Sequence, residues 1–264
     1  MRRIDESEID EIEAAALNAW PAAQQYLLDG YVVRLAQGYT KRANSVNRLR
    51  PPRIAPAELV PLCEDLYRAC GLPPIFRLID SAESAALDGF LAQRGYQMLD
   101  QTAVMTCAAA DAADGAAALQ GASAAPVQFV QMELDGWLDA YMQLSQAAPH
   151  TRAAHRAILQ AIVPPRLFAA LVVDGEPLAC GMGVLDRRRF GLFDIVTHAA
   201  HRRQGLGGRL VRQMAGWAQE RGAATCYLQV VARNSAARSL YARLGFTDAY
   251  GYWYRIAPEK SSTT

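Results

Sequence analysis

The reading turns on one stretch, Thr197-His198-Ala199-Ala200-His201-Arg202-Arg203-Gln204-Gly205-Leu206-Gly207-Gly208-Arg209-Leu210. Upstream, Arg189–Thr197 is apolar and suits a strand. Downstream, Gly207–Arg221 places Leu210, Met214, Trp217 and Ala218 on one face and reads as a long amphipathic helix. Gly205, Gly207 and Gly208 remove side chains where strand turns into helix. The first amides of a helix have no intrahelical acceptor, and the helix dipole favours an anion there. Arg202 and Arg203 add positive charge beside them. This is the composition of a pyrophosphate cradle; the structural alternative is a turn that only caps a helix. A Walker loop needs Gly-Lys-Ser/Thr, and a dinucleotide fingerprint needs G-x-G-x-x-G with a downstream acid. Neither is present, which argues against an oxidoreductase of that type.

A second segment follows: Asn234-Ser235-Ala236-Ala237-Arg238-Ser239-Leu240-Tyr241-Ala242-Arg243-Leu244-Gly245-Phe246. Asn234 is a good helix N-cap after a strand at Ala224–Val231. Tyr241 lies two turns further along the same face. Either residue alone is explained by capping or packing; their joint spacing behind the cradle favours function.

Together these segments resemble the GNAT superfamily of N-acetyltransferases. Arg202-x-x-Gly205-x-Gly207 is similar to its R/Q-x-x-G-x-G/A pattern, and Asn234 to Phe246 to its N-x-x-A-x-x-x-Y-x-x-x-G-F signature. The resemblance covers the C-terminal half in element order. It implies that Arg202, Arg203, Gln204, Gly205, Leu206, Gly207 and Gly208 cradle the pyrophosphate of acetyl-CoA, with Asn234 beside them. It implies that Ile195, Val196 and Thr197 pair through their backbone with the pantetheine arm, because their strand splays from the next. Tyr241 would protonate the departing thiolate. Asp194, the nearest carboxylate to the cradle, is a candidate proton acceptor, or else a structural acid. The expected reaction is direct acetyl transfer to a primary amine, on a small molecule, an amino acid or a protein N-terminus. The alternative is a non-catalytic acyl-CoA-binding sensor or interaction module. A homodimer stays open.

Working outward, Asp135–Ala147 and His150–Ile162 read as helices. Leu167–Val173, Leu178–Leu185 and Tyr250–Ile256 read as strands, with Asp174-Gly175 as a hairpin turn. Residues 108–126 hold eleven alanines in nineteen and read as a linker. Before it come helices at Asp5–Ala19, Pro56–Cys70 and Glu83–Arg94, and strands at Gly30–Ala36, Ile75–Ile79 and Gln97–Cys107. Both halves end in helix, Gly, aromatic and strand, at Arg94-Gly95-Tyr96 and Leu244-Gly245-Phe246. The first half has no cradle; its Trp20-Pro21, Arg42-Ala43-Asn44-Ser45 and Arg94-Gly95-Tyr96 resemble segments of tandem GNAT proteins. The expected fold is thus α/β (α+β): two tandem GNAT-like domains, each a mixed, mostly antiparallel sheet flanked by helices. A degenerate domain would span 1–107 and a catalytic one 127–264.

The chain has 264 residues, 52% apolar and 20% charged, with a formal net charge of +1. Such a balance carries no broad footprint for nucleic acid or membrane. Five widely spaced cysteines without C-x-x-C fit reduced thiols in the cytoplasm. The pairs His198/His201 and His150/His155 lack acidic or thiol companions at metal spacing. No metal is expected, and these histidines read as surface or loop residues.

Overall fold

The computed structural model describes residues 5–114 and 127–258. Helix α1 (Glu6–Ala19) starts at Asp5, whose carboxylate accepts the Glu8 N–H at 2.8 Å, and stops at Trp20-Pro21. Strands β1 (Gln24–Leu28) and β2 (Tyr31–Leu35) form a hairpin around Asp29-Gly30, both with positive φ. The sequence reading has a single strand here. It misses β1, which is mostly exposed and so has no alternating pattern to read. Then follow β3 (Val46–Arg48), α2 (Pro56–Ala69), β4 (Ile75–Ile79), α3 (Ala85–Gln93) and β5 (Gln97–Ala108).

Where the linker was expected, Ala109–Asp114 forms a helix, α4, with Ala109 and Ala112 buried in the core. Alanine has the highest helix propensity, and a short side chain lets this helix lie close to its neighbour. The remainder of that expected linker, 115–126, lies outside the described residues. The second half continues with β6 (Gln128–Gln131), α5 (Leu134–Ser145), α6 (Arg152–Gln160), β7 (Arg166–Val173), β8 (Glu176–Asp186), β9 (Arg189–Thr197), α7 (Leu206–Gln219), β10 (Thr225–Val231), α8 (Ser235–Arg243) and β11 (Thr247–Ile256).

All eleven strands join one open sheet in the order β1-β2-β3-β4-β11-β5-β10-β9-β8-β7-β6. Only β3–β4 and β9–β10 are parallel. These two pairs occupy equivalent places in the two halves. Between them the last strands are exchanged: β5, from the first half, pairs with β10, and β11, from the second, pairs with β4. The two exchanged strands also pair with each other. Each half therefore closes the other's sheet.

Side chains alternate across this sheet as its pleat requires. Ala103, Met105 and Cys107 face the layer holding α4, α7 and α8, whereas Val104 faces the layer of α1, α5 and α6. On β7, Leu167, Ala169 and Leu171 face the first layer, and Phe168 and Ala170 the second. Burial on both faces explains why β7 reads as a continuous apolar run. A third core, under α2 and α3, includes Tyr67, Phe76 and Leu91.

Two polar clusters, one buried and one half-buried, bind the halves to each other. Glu13 of α1 forms a bidentate ion pair with Arg77 of β4, and the Tyr250 hydroxyl on β11 donates to Glu13 Oε1 at 2.5 Å. The Arg77 guanidinium also stacks 3.7 Å from the Tyr252 ring centroid. On the opposite side of β11, Arg255 and Trp253 converge on Asp88 of α3, with bonds of 2.7 to 2.9 Å. Among the described residues, no helix is long and apolar enough to cross a membrane.

Candidate active site

Strands β9 and β10 pair only from Arg189 to Leu192 opposite Thr225 to Leu228. Beyond that point β9 runs on to Thr197 and β10 to Val231 without pairing, so the two splay. On its other edge β9 carries a bulge. Phe193 faces Met182 and Val196 faces Cys180, leaving Asp194 and Ile195 together opposite Gly181. Asp194 takes the extra turn with φ of 51°, a left-handed conformation that Asp tolerates better than most residues. Gly181 leaves room for the Ile195 side chain, because a Cβ there would lie 2.4 Å from Ile195 Cδ1 and force that side chain to move. The indole of Trp137, buried on α5, donates to the Gly181 carbonyl at 3.0 Å and holds the bulge from behind.

The cradle follows one short 3-10 turn later. Arg203 and Gly205 both have positive φ, 61° and 78°, which swings the chain into α7. The first bond at this end of α7 runs from Arg209 N–H to the Gly205 carbonyl at 3.0 Å, so the amides of Leu206, Gly207 and Gly208 come before it. Arg202, Arg203 and Gln204 are exposed, Gly205 and Gly207 half-exposed, and Leu206 and Gly208 buried. A Cβ on Gly207 would lie 3.2 Å from Leu240 Cδ2 and 3.5 Å from Thr197 Oγ1. The end of β9, the start of α7 and α8 thus meet at this glycine. Open amides, two cations and missing side chains fit a pyrophosphate.

Asn234 caps α8, accepting the Ala237 N–H at 3.1 Å. Tyr241 is 8% exposed in the core layer of α7 and α8, with its ring edge-on to Phe246 at 6.0 Å. Burial pushes its phenol up to about 12, which keeps the proton on the oxygen. Its hydroxyl has no hydrogen-bond partner among the described residues. Tyr241 and Asp194 belong to different core layers, so the two candidate catalytic residues do not touch.

On the Asp194 side lies a cavity of about 580 Å³. Asp194, Tyr141 and Tyr252 line it from the second half, and Trp20, Tyr39 and Arg42 from the first. The Arg42 guanidinium sits 5.1 Å from the Trp20 ring and 5.4 Å from Phe193. Burial and then the Asp194 charge raise the Tyr39 phenol to about 12, and the same two causes raise Tyr141. The sequence reading assigned no role to the first half. In the fold its Trp20 and 38–42 segment form one wall of this cavity.

The expectation for the histidines fails at His155. It is fully buried on α6, with Nε2 3.0 Å from Asp194 Oδ2. His150, by contrast, is exposed, and His198 and His201 are half-exposed. A signal for His155 was present in the sequence. It shares the buried face of α6 with Ile158, Leu159 and Ile162, at the i, i+3, i+4 and i+7 positions. Among the described residues no group of three or more His, Cys, Asp or Glu is placed to hold a metal. All five cysteines are free thiols.

Comparison with known proteins bears on the family and the fold. A family model described as "Probable histone acetyltransferase Rv0428c C-terminal" matches residues 6–255. The "Uncharacterized N-acetyltransferase YobR" of Bacillus subtilis (strain 168) is 30% identical over 250 residues, covering 94% of this chain and 98% of that protein. Among solved structures, a GCN5-related N-acetyltransferase from Kribbella flavida superposes with a TM-score of 0.69 at 18% identity, covering 94% of this chain and 95% of that one. A tandem GNAT protein from the clavulanic acid biosynthesis pathway does so with a TM-score of 0.61 at 16% identity, covering 82% and 74%. The chain belongs to the matched acetyltransferase family and is an N-acetyltransferase, with the fold of the GNAT structures, one of them a tandem GNAT protein.

Proposed function

We propose that the protein transfers an acetyl group directly from acetyl-CoA to a primary amine, with acetyl-CoA at the α7 cradle and the amine in the Asp194 cavity. One observation carries this reading. A single stretch of β9, unpaired on its β10 edge, has Asp194 in the cavity at one end and Thr197 against Gly207 of the cradle at the other. At about 3.3 Å per residue, the two ends lie roughly 10 Å apart. The strand between them offers backbone groups, at Ile195, Val196 and Thr197, on the edge left open by the splay.

When bound, acetyl-CoA supplies an activated acyl carbon and a thiolate leaving group. The chain's own residues do the rest. Amides of Gly205 to Gly208 and the side chains of Arg202, Arg203 and Gln204 bind phosphate oxygens. Asn234 holds the start of α8 and thereby the position of Tyr241. Asp194 accepts a proton from the incoming ammonium, freeing the nitrogen lone pair that forms the C–N bond. Tyr241 gives its proton to sulfur as the C–S bond breaks. The net reaction converts ammonium and thioester to amide and thiol, with one proton released to solvent.

The walls contributed by Trp20, Tyr39 and Arg42 make the first half a determinant of which amine enters. That amine can be a small molecule, an amino acid or a protein N-terminus, and the compartment we propose is the cytoplasm. The competing function is an acyl-CoA-binding sensor. Thiol release, followed across a library of amines and peptides, distinguishes them. The enzyme releases thiol in step with at least one amine, whereas a sensor binds acetyl-CoA tightly and turns over none.

A further inference from the structure

We propose that His155 is a positioning residue for this reaction, fixing the Asp194 carboxylate so that its free oxygen faces the acceptor cavity. The inference rests on the reading of Asp194 as proton acceptor. It adds the group that makes Asp194 competent for that role.

His155 stands inside a cage of four aromatic rings. Its ring centroid is 4.9 Å from Tyr141, 5.4 Å from Tyr39, 5.5 Å from Trp20 and 6.1 Å from Trp137. Two of these rings come from the first half and two from the second. A cage of this kind is filled as well by Phe or Leu, which bring no polar atoms. Each buried ring nitrogen without a partner carries an uncompensated desolvation cost. Both nitrogens of His155 lack an aligned hydrogen bond, as does the buried Oδ2 of Asp194. Among the described residues, the polar group recorded against the imidazole is that carboxylate, at 3.0 Å. A small rotation of either side chain converts the contact into an Nε2–H donation to Oδ2.

The arrangement also determines which carboxylate oxygen stays free. Oδ2 is sealed against His155, yet the Asp194 side chain remains 17% exposed and lines the cavity. The exposed part therefore lies toward Oδ1, where an acceptor ammonium would enter. Asp194 occupies a left-handed position on a bulge, with no side-chain hydrogen bond to its own strand to hold its rotamer. Without the imidazole the carboxylate is free to rotate, and misplacement by about 1 Å costs up to 10²-fold in rate. The titratable side chains that respond to the Asp194 charge are Tyr39, Tyr141 and Cys180, each raised by burial and by that charge; Lys41 and Arg42 line the same cavity without an ion pair to Asp194 among the described residues, Lys41 pairing instead with Asp100. Tyr39, Tyr141 and Cys180 stay neutral near pH 7, so His155 is the group that can hold this carboxylate by a donated ring proton.

The test uses the full chain and two independent readouts. In the ligand-free protein, long-range 1H–15N spectra report the protonation of the four histidines, with His155→Phe identifying the His155 signals. We expect a ring proton on Nε2 facing Oδ2, whose resonance shifts in Asp194→Asn. A His155 signal unmoved by Asp194→Asn overturns the proposal without reference to any activity. In steady-state assays, His155→Phe should lower kcat about 10- to 100-fold with the KM for acetyl-CoA unchanged. His155→Gln, which restores an N–H donor, should recover most of that loss. In an Asp194→Asn background, His155→Phe should change kcat less than about twofold, because the two act as one unit. Wild-type kcat in His155→Phe, or losses that multiply in the double variant, also overturn it. A wild-type protein that transfers acetyl to no amine counts against the acetyl-transfer reading and leaves the spectroscopic test standing.

Discussion

Replacing Tyr241 by Phe removes one oxygen and nothing else from the α7–α8 layer. The edge-on contact with Phe246, at 6.0 Å between centroids, is kept. The hydroxyl has no hydrogen-bond partner among the described residues, so no buried donor or acceptor is stranded. Unfolding free energy should therefore change by no more than about 0.5 kcal/mol. Acetyl-CoA affinity should also hold, since the cradle lies at the α7 N-terminus. The loss belongs in kcat. A general acid contributes at least about 10²-fold, and two factors of ten at about 1.36 kcal/mol each give roughly 2.7 kcal/mol. The wild-type pH profile adds a check on sign. With the phenol raised to about 12 by burial, the protonated donor persists through the ordinary tyrosine range and is lost only as pH climbs toward 12. Between about pH 8 and 10, kcat should thus show no decline from this group. The assay is thiol release at saturating amine, under conditions where the chemical step limits turnover. Wild-type kcat in the Phe variant would refute the reasoning and leave Tyr241 as a packing residue.

Three further outcomes follow from the same geometry. Gly207→Asp should weaken acetyl-CoA binding by about 10²-fold or more, because a carboxylate opposes a phosphate at a helix N-terminus; Gly207→Ala, whose Cβ meets the mobile end of Leu240 at 3.2 Å and Thr197 Oγ1 at an ordinary 3.5 Å, should fold and serve as the steric control in calorimetry, and equal affinities in both would place the cradle elsewhere. Glu13→Ala leaves the Arg77 guanidinium buried without its partner and should cost about 3–5 kcal/mol in denaturant unfolding; a loss below about 1 kcal/mol would show that water reaches the cluster. A chain reduced to residues 127–264 lacks β5, the only partner of β10 on that side, and β4, so it should not give a cooperative monomeric unfolding transition; a sharp transition with native-like circular dichroism would show that β10 and β11 can close the sheet unaided.

Much of this protein was legible from local chemistry. The cradle is a matter of three glycines and two arginines within seven residues, and Asn234 caps its helix as its residue type requires. Strands such as Ile75–Ile79 and Arg189–Thr197 have the expected bounds, because apolar runs between turn residues are read at short range. What escaped was whatever lacked a local pattern. β1 is mostly exposed and β3 is only three residues long. The alanine-rich segment becomes α4 only because the core accepts a helix of small residues there. The exchange of β5 and β11 has no signature in either strand; it is settled by which edges the rest of the sheet leaves open. The same holds for the acceptor side of the site. Asp194 was visible as an acid in an apolar strand, but its left-handed turn packs opposite Gly181, whose carbonyl accepts from Trp137, residues 13 and 57 positions earlier. His155 and Asp194 stand 39 residues apart in the chain and 3.0 Å apart in space. The sequence determined the chemistry of the cradle, where neighbours in the chain are neighbours in the site. The tertiary structure decided the cavity proposed for the acceptor, where packing brings together groups from both halves.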